Sequence, residues 1–135
     1  MIYGNELVRL YPWLSPDRDA GAFTLTGSQW YQGYFSTTAQ GDYKSWPVSL
    51  RPGTYTVTDL CMTSTASGKA HVTNGGSDLA TIDEYAASNA FNQRKTATGL
   101  ALTSGDIKLA ADTKNASSSG YELRSTFTIL QRTGD

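Results

Sequence analysis

The stretch SDLATIDEYAASNAFNQRK, Ser77 to Lys95, decides the fold class of this 135-residue chain. Leu79, Ile82 and Ala86 stand at helical spacing behind a Ser77 or Asp78 cap, and the alanines favour helix. The same residues also read as an edge strand that runs into a loop. Propensity alone leaves the two readings level. A long packed helix here would take the chain out of the all-β class.

The flanking sequence argues for strands. Short runs rich in Thr, Val, Tyr and Ile are separated by Gly, Ser, Asn and Pro. AFTLTGS (22–28) alternates around Phe23 and Leu25. RPGTYTVTDL (51–60) opens on a Pro-Gly turn, then sets Tyr55 and Val57 on one face and Thr54, Thr56 and Thr58 on the other. TGLALTSGDIKLAAD (98–112) reads as strand, Ser104-Gly105 turn, strand, with Ile107 and Leu109 inward and Lys108 outward. SGYELRSTFTIL (119–130) is the clearest strand, with Tyr121, Leu123, Phe127 and Ile129 on one face and Glu122, Arg124, Thr126 and Thr128 on the other. Such alternation buries one face and wets the other. About eight to ten strands result, which fits one all-β domain over 1–135, an antiparallel β-sandwich or jelly roll. Residues 1–20, with the apolar ELVRLYPWLSP, read as an extended N-terminal arm.

Composition removes several function classes. Lys+Arg number 11 against 12 Asp+Glu, so no basic stripe points to nucleic acid. Only 17% of residues are charged, while Ser and Thr together number 32, so the surface is built from hydroxyls. No run approaches the length of a membrane-spanning helix, and the N-terminus carries no signal-peptide pattern. Cys61 is the single cysteine and lies in the strand-like VTDLCMT, which reads as a buried, inert thiol.

The chemistry of an enzyme is sparse. His71 is the only histidine, in GKAHVTNGG, and reads as a surface or edge-strand residue; with Cys61 alone it makes no zinc site. No nucleophile elbow is present. Asp83 and Glu84 are adjacent on a strand, point to opposite faces, and so do not flank one glycosidic bond. No catalytic residue, cofactor or metal is expected. In SPDRDAG, Asp17 and Asp19 are the residues with the spacing to offer a cation oxygen ligands, although Asp-rich turns are common without one. TNGGSD (73–78) reads as a hairpin turn.

RPGTYTVTDLCMTSTASGKAHVTNGG (51–76), LATIDEY (79–85) and TATGLALTSGDIKLAADTKNASSSGYELRSTFTILQRTG (96–134) come in an order that resembles the jelly-roll domains related to carbohydrate-binding modules. Such domains recur as carbohydrate-binding modules and as phage virion parts, namely capsid cement or decoration proteins and fibre modules. The resemblance spans Arg51 to Gly134. It tips the Ser77–Lys95 stretch to a strand at about Leu79–Tyr85, an Ala-Ser-Asn loop, and a strand from about Phe91.

The resemblance implies a non-enzymatic capsid decoration protein of a bacteriophage, made in the host cytoplasm without a signal peptide and resident in the virion. Its partners would be itself, as a homotrimer, and a major capsid or other virion protein. The alternative is a carbohydrate-binding module or a tail-fibre receptor-binding domain with a glycan partner. Under the first reading Tyr11, Trp13, Trp30 and Tyr31 anchor the interface. Under the second, sugar rings stack on Trp30, Tyr34 or Trp46. The aromatic run SQWYQGYF (28–35) puts rings on both faces of a strand, so one set would fill the core and the other would need a cover.

Overall fold

The computed structural model describes residues 7–11, 17–18, 24–26, 34–36 and 39–135, with the backbone alone for 17–18, 24–26 and 34–36. Among them lie β1 (Leu7–Leu10), β2 (Asp17–Arg18), β3 (Thr24–Thr26), β4 (Tyr34–Ser36), β5 (Tyr43–Val48) and β6 (Gly53–Thr63). They continue with β7 (Lys69–Asn74), β8 (Ser77–Asp83), β9 (Ala90–Leu102), β10 (Gly105–Thr113) and β11 (Arg124–Gly134). No helix occurs among the described residues.

The strands form two antiparallel sheets stacked as a sandwich. The first runs β3-β4-β11-β6-β9, with β1 also on β11; the second runs β2-β5-β10-β7-β8. Long β11 gives one edge to β6 and divides the other, Arg124–Ser125 pairing with β4 and Thr128–Gln131 with β1. Alternate residues fill the space between the sheets. Trp46, Tyr55, Val57, Val72, Ile107, Leu109, Leu123 and Leu130 belong to one buried cluster. Each such apolar side chain contributes about 1.5–3 kcal/mol by leaving water.

The stretch Ser77–Lys95 is strand, loop, strand. Asn74 pairs with Ser77 across Gly75 and Gly76, whose φ values of 57° and 84° make the two-residue turn that closes an antiparallel hairpin. That turn fixes β8 beside β7 and overrides the alanine-rich helical spacing. β8 ends at Asp83, whose Oδ1 accepts from the Tyr85 amide at 3.0 Å and whose Oδ2 accepts from Asn115 Nδ2 at 2.9 Å. The chain then crosses to the first sheet and resumes as β9 at Ala90.

β11 departs from simple alternation. A bulge between Ser125 and Phe127 inserts one extra residue against β6. Leu123 therefore faces inward as its pattern predicts, but beyond the bulge the phase inverts. Thr128 and Leu130 are buried, while Phe127 and Ile129 are half-buried on the outer side. The inward placement of Phe127 and Ile129 and the outward placement of Thr128 are thus corrected. At the sheet edge, β9 carries two register shifts against β6, next to Gly99 (φ 70°) and Asn92 (φ 55°). Such bulges bend an edge away from further pairing.

Candidate functional site

The outer face of the second sheet is not flat. A cleft of about 420 Å³ opens there, lined by residues that include Ser45, His71, Thr73, Asp106, Lys108 and Asp112. Alternation explains the set. On β10, Ile107 and Leu109 point inward, so Asp106, Lys108 and Ala110 point out; on β7, Ala70 and Val72 point inward, so His71 and Thr73 point out. Ala110 pairs with both Tyr43 of β5 and His71 of β7, and its short side chain leaves the floor low. A bulge in β10 between Ala110 and Thr113 carries Asp112 to the rim beside His71.

His71 lies on an inner strand, between β8 and β10, rather than on an edge. Its Nδ1 is 2.6 Å from Asp112 Oδ2 and its Nε2 is 3.1 Å from Asp78 Oδ1. An ionised carboxylate only accepts, so it is as an N–H donor that the ring bonds here. Opposite, Lys108 Nζ sits 4.1 Å from the centre of the Tyr43 ring, a cation–π contact. The cleft thus sets acceptors (Asp106, Asp112, Asp78) beside donors (Lys108, His71) and hydroxyls that do both (Ser45, Thr73).

The aromatic residues singled out in the sequence lie elsewhere. Trp46 is a core residue, 4% exposed, with Nε1 donating to the Tyr11 carbonyl at 2.9 Å, so its ring offers no face to a sugar. Tyr11 is half-buried and packs on Phe127 with ring centres 5.8 Å apart. Tyr34 is on β4, described in its backbone alone. Trp13, Trp30 and Tyr31, and Asp19 of the acidic turn, lie outside the described residues; Asp17 is on β2.

A second polar group lies between the sheets, where sequence patterning expects hydrocarbon. Lys44 of β5 and Asp59 of β6 are both fully buried, with Nζ 3.8 Å from Oδ1. Ser125 Oγ donates to Asp59 Oδ2 at 2.6 Å, and Thr128 Oγ1 donates to Oδ1 at 2.9 Å. Glu84, also fully buried, reaches the same spot from the crossing after β8. Burial, with the Asp59 charge beside it, pushes Glu84 well above the usual carboxylate range. Burial raises Asp59 too, but the Lys44 charge and hydrogen bonds from Glu84, Ser125 and Thr128 outweigh it and hold Asp59 below its ordinary value. Glu84 is therefore the carboxyl of the two that favours its neutral form. Burial and the two carboxyls push the Cys61 thiol far up, which fits the inert thiol expected there.

Ligand atoms of Asp59, Cys61 and Glu84 lie within 4.8 Å of one another. Lys44 already supplies the positive charge at that place, and a protonated Glu84 and Cys61 make poor ligands. The sequence pattern marked this group only by phase: Asp59 is in phase with Tyr55 and Val57, Lys44 with Trp46, and Glu84 is out of phase with Asp83.

No protein-family model and no curated relative matches the sequence. Solved structures do match. The chain is similar to the CBM36-1 domain of a multidomain xylanase from the hindgut metagenome of Trinervitermes trinervoides, with TM-score 0.71 and 14% identity over 96% of this chain and 100% of that one. It is similar to a family 6 carbohydrate-binding module from Clostridium cellulolyticum, solved in complex with xylose, with TM-score 0.69 and 14% identity over 91% of this chain and 95% of that one. It also matches part of a Paenibacillus xanthan lyase, with TM-score 0.63 and 22% identity over 93% of this chain and 13% of that one. The fold is therefore the jelly-roll sandwich of these carbohydrate-binding modules. These neighbours include no virion protein.

Proposed function

We propose that the chain is a carbohydrate-binding domain that holds a glycan in the cleft on the outer face of its second sheet. The observation that carries this reading is the cleft's lining: side chains that accept, donate or do both, converging over a low Ala110 floor. A sugar presents hydroxyls that each donate once and accept twice, and only a mixed lining satisfies both roles. Modules of this fold solved with bound sugars make the same ligand class a natural expectation. The capsid-decoration reading draws no comparable support, since of its anchors Tyr11 packs on Phe127 and Trp13, Trp30 and Tyr31 lie outside the described residues.

Binding without catalysis is part of the proposal. The sole histidine has both ring nitrogens turned to carboxylates, so the ring is held within the cleft's own polar contacts and is not aimed at a nucleophile. Affinity electrophoresis in gels cast with xylan, cellulose-derived glucan or β-1,3-glucan tests the reading. At least one polymer should retard the wild type, and Asp112→Ala should lose about tenfold in affinity, worth about 1.4 kcal/mol. Unretarded migration in every polymer, by protein with an intact β circular-dichroism signal, would end the proposal.

A further inference from the structure

We propose that Lys44 and Asp59 become joined by an amide bond that the protein makes in its own core, with Glu84 carrying the protons. Lys44 belongs to the second sheet and Asp59 to the first, so their side chains meet head-on in the sandwich interior. All three side chains are fully buried, a carboxyl oxygen of Glu84 lies within 4.8 Å of one of Asp59, and nothing from solvent competes for the amine or the carboxyl. Lys44 Nζ already stands 3.8 Å from Asp59 Oδ1. Groups fixed this way react as though at about 10⁵–10⁸ M, provided the approach is aligned.

The starting set is an ammonium on Lys44, a carboxylate on Asp59 and a carboxylic acid on Glu84. Glu84 passes its proton to an oxygen of Asp59, which makes that carboxyl an electrophile. The Glu84 carboxylate then takes a proton from the Lys44 ammonium and frees the amine's lone pair. The Nζ–Cγ bond forms, and the carbon becomes tetrahedral. Ser125 Oγ and Thr128 Oγ1, each already donating to one Asp59 oxygen, hold the charge that develops there. A second proton leaves the nitrogen through Glu84 for the oxygen that departs, the C–O bond breaks, and one water is released. Glu84 ends as the acid it was at the start. Four exchangeable protons and zero net charge stand on both sides of the step.

The driving force is the removal of a buried ion pair. Two opposite charges in a dry interior recover their desolvation poorly, whereas a secondary amide is neutral and its remaining oxygen keeps the hydroxyl that donates to it. The raised Glu84 and the lowered Asp59 are the protonation states from which this sequence starts. The bond would tie one sheet to the other, and it stands apart from the glycan cleft and independent of it.

Intact mass under denaturing conditions, followed by a tryptic map, tests the assignment on the full chain. The expected mass is one water below that of the sequence. Acylated Lys44 resists trypsin, and so does the Arg51-Pro52 bond, so a single peptide from Asp19 to Lys69, one water light, should replace the two that meet at Lys44. Glu84→Gln, which keeps the side chain's shape but cannot shuttle protons, should return full mass and cleavage at Lys44. Wild-type protein of full mass with Lys44 cleaved overturns the proposal whether or not the variant folds. So does a lost water that maps to other residues. A Glu84→Gln protein as light as the wild type overturns the role of Glu84.

Discussion

The two polar groups of this molecule use the same side chains and face opposite surroundings. In the outer cleft, Lys108, His71, Asp106, Asp112 and Asp78 stand in or near water, which solvates whatever they leave unmatched. Between the sheets, Lys44, Asp59 and Glu84 are cut off from solvent, and the Lys44 charge faces that of Asp59 beside a Glu84 pushed toward its neutral form. The first arrangement offers its hydrogen-bonding capacity to a ligand; the second is closed to one by its burial between the sheets. The sharpest way to break the comparison is the same substitution in both places. Lys44→Met strips the counter-charge from a buried carboxylate and should cost about 3–5 kcal/mol. Lys108→Met loses a cation–π contact at the surface and should cost about 1 kcal/mol or less. Urea denaturation of the two variants gives both numbers, and equal losses would show that the interior is wetter than its burial implies.

pH separates the two groups next. Glu84 is raised in the folded protein, so the native state binds a proton that the unfolded chain gives up above its ordinary value of 4.5. The stabilisation from a neutral Glu84 is complete below that value and drains away as pH rises toward the folded value. Over this window stability should fall by up to about 1.4 kcal/mol per pH unit. Burial is the first cause of the shift, so the trend holds with Asp59 either ionised or in an amide. In Glu84→Gln the slope should disappear, as read from melting temperatures between pH 5 and pH 9, about the range in which the fold is ordinarily most stable. A wild type whose melting temperature is flat across that range would contradict the neutral, buried acid.

Much of the sandwich was legible from alternation, because a strand with one dry face cannot hide its period. Tyr55, Val57, Ile107 and Leu109 are inward and fully buried as their spacing requires. The Gly75-Gly76 turn was legible from its glycines and settles Ser77–Lys95 as strand, loop and strand. The inverted half of β11 was not legible. A bulge is one residue of backbone geometry and leaves no mark in a Thr-rich run such as STFT. The cleft was half legible: Lys108 was read as outward, but the histidine's two carboxylate partners come from β8 and β10, and pairing across strands is not written in local spacing. The interior charge group escaped for the opposite reason, since charged side chains are ordinarily placed outside by default. Its clue was phase: Lys44 shares that of Trp46 on β5, and Asp59 that of Tyr55 and Val57 on β6.

The smallest effects compare threonines. Thr128 was read as solvent-facing, yet its hydroxyl lies in the core and donates to Asp59 Oδ1 at 2.9 Å. Thr58 was read the same way and does face outward, where its hydroxyl meets that of Thr96 at 3.1 Å on the exposed side of the first sheet. Valine replaces threonine with nearly unchanged shape, so Thr→Val isolates the hydroxyl. At Thr128 it removes a donor from a buried acceptor and should cost about 1–3 kcal/mol. At Thr58 water takes over the lost bond, and the change should stay within about 0.5 kcal/mol. Matched denaturation curves would decide it. A neutral Thr128→Val would mean that Asp59 does not depend on this hydroxyl, and would remove one of the two donors on which charge stabilisation in the core rests.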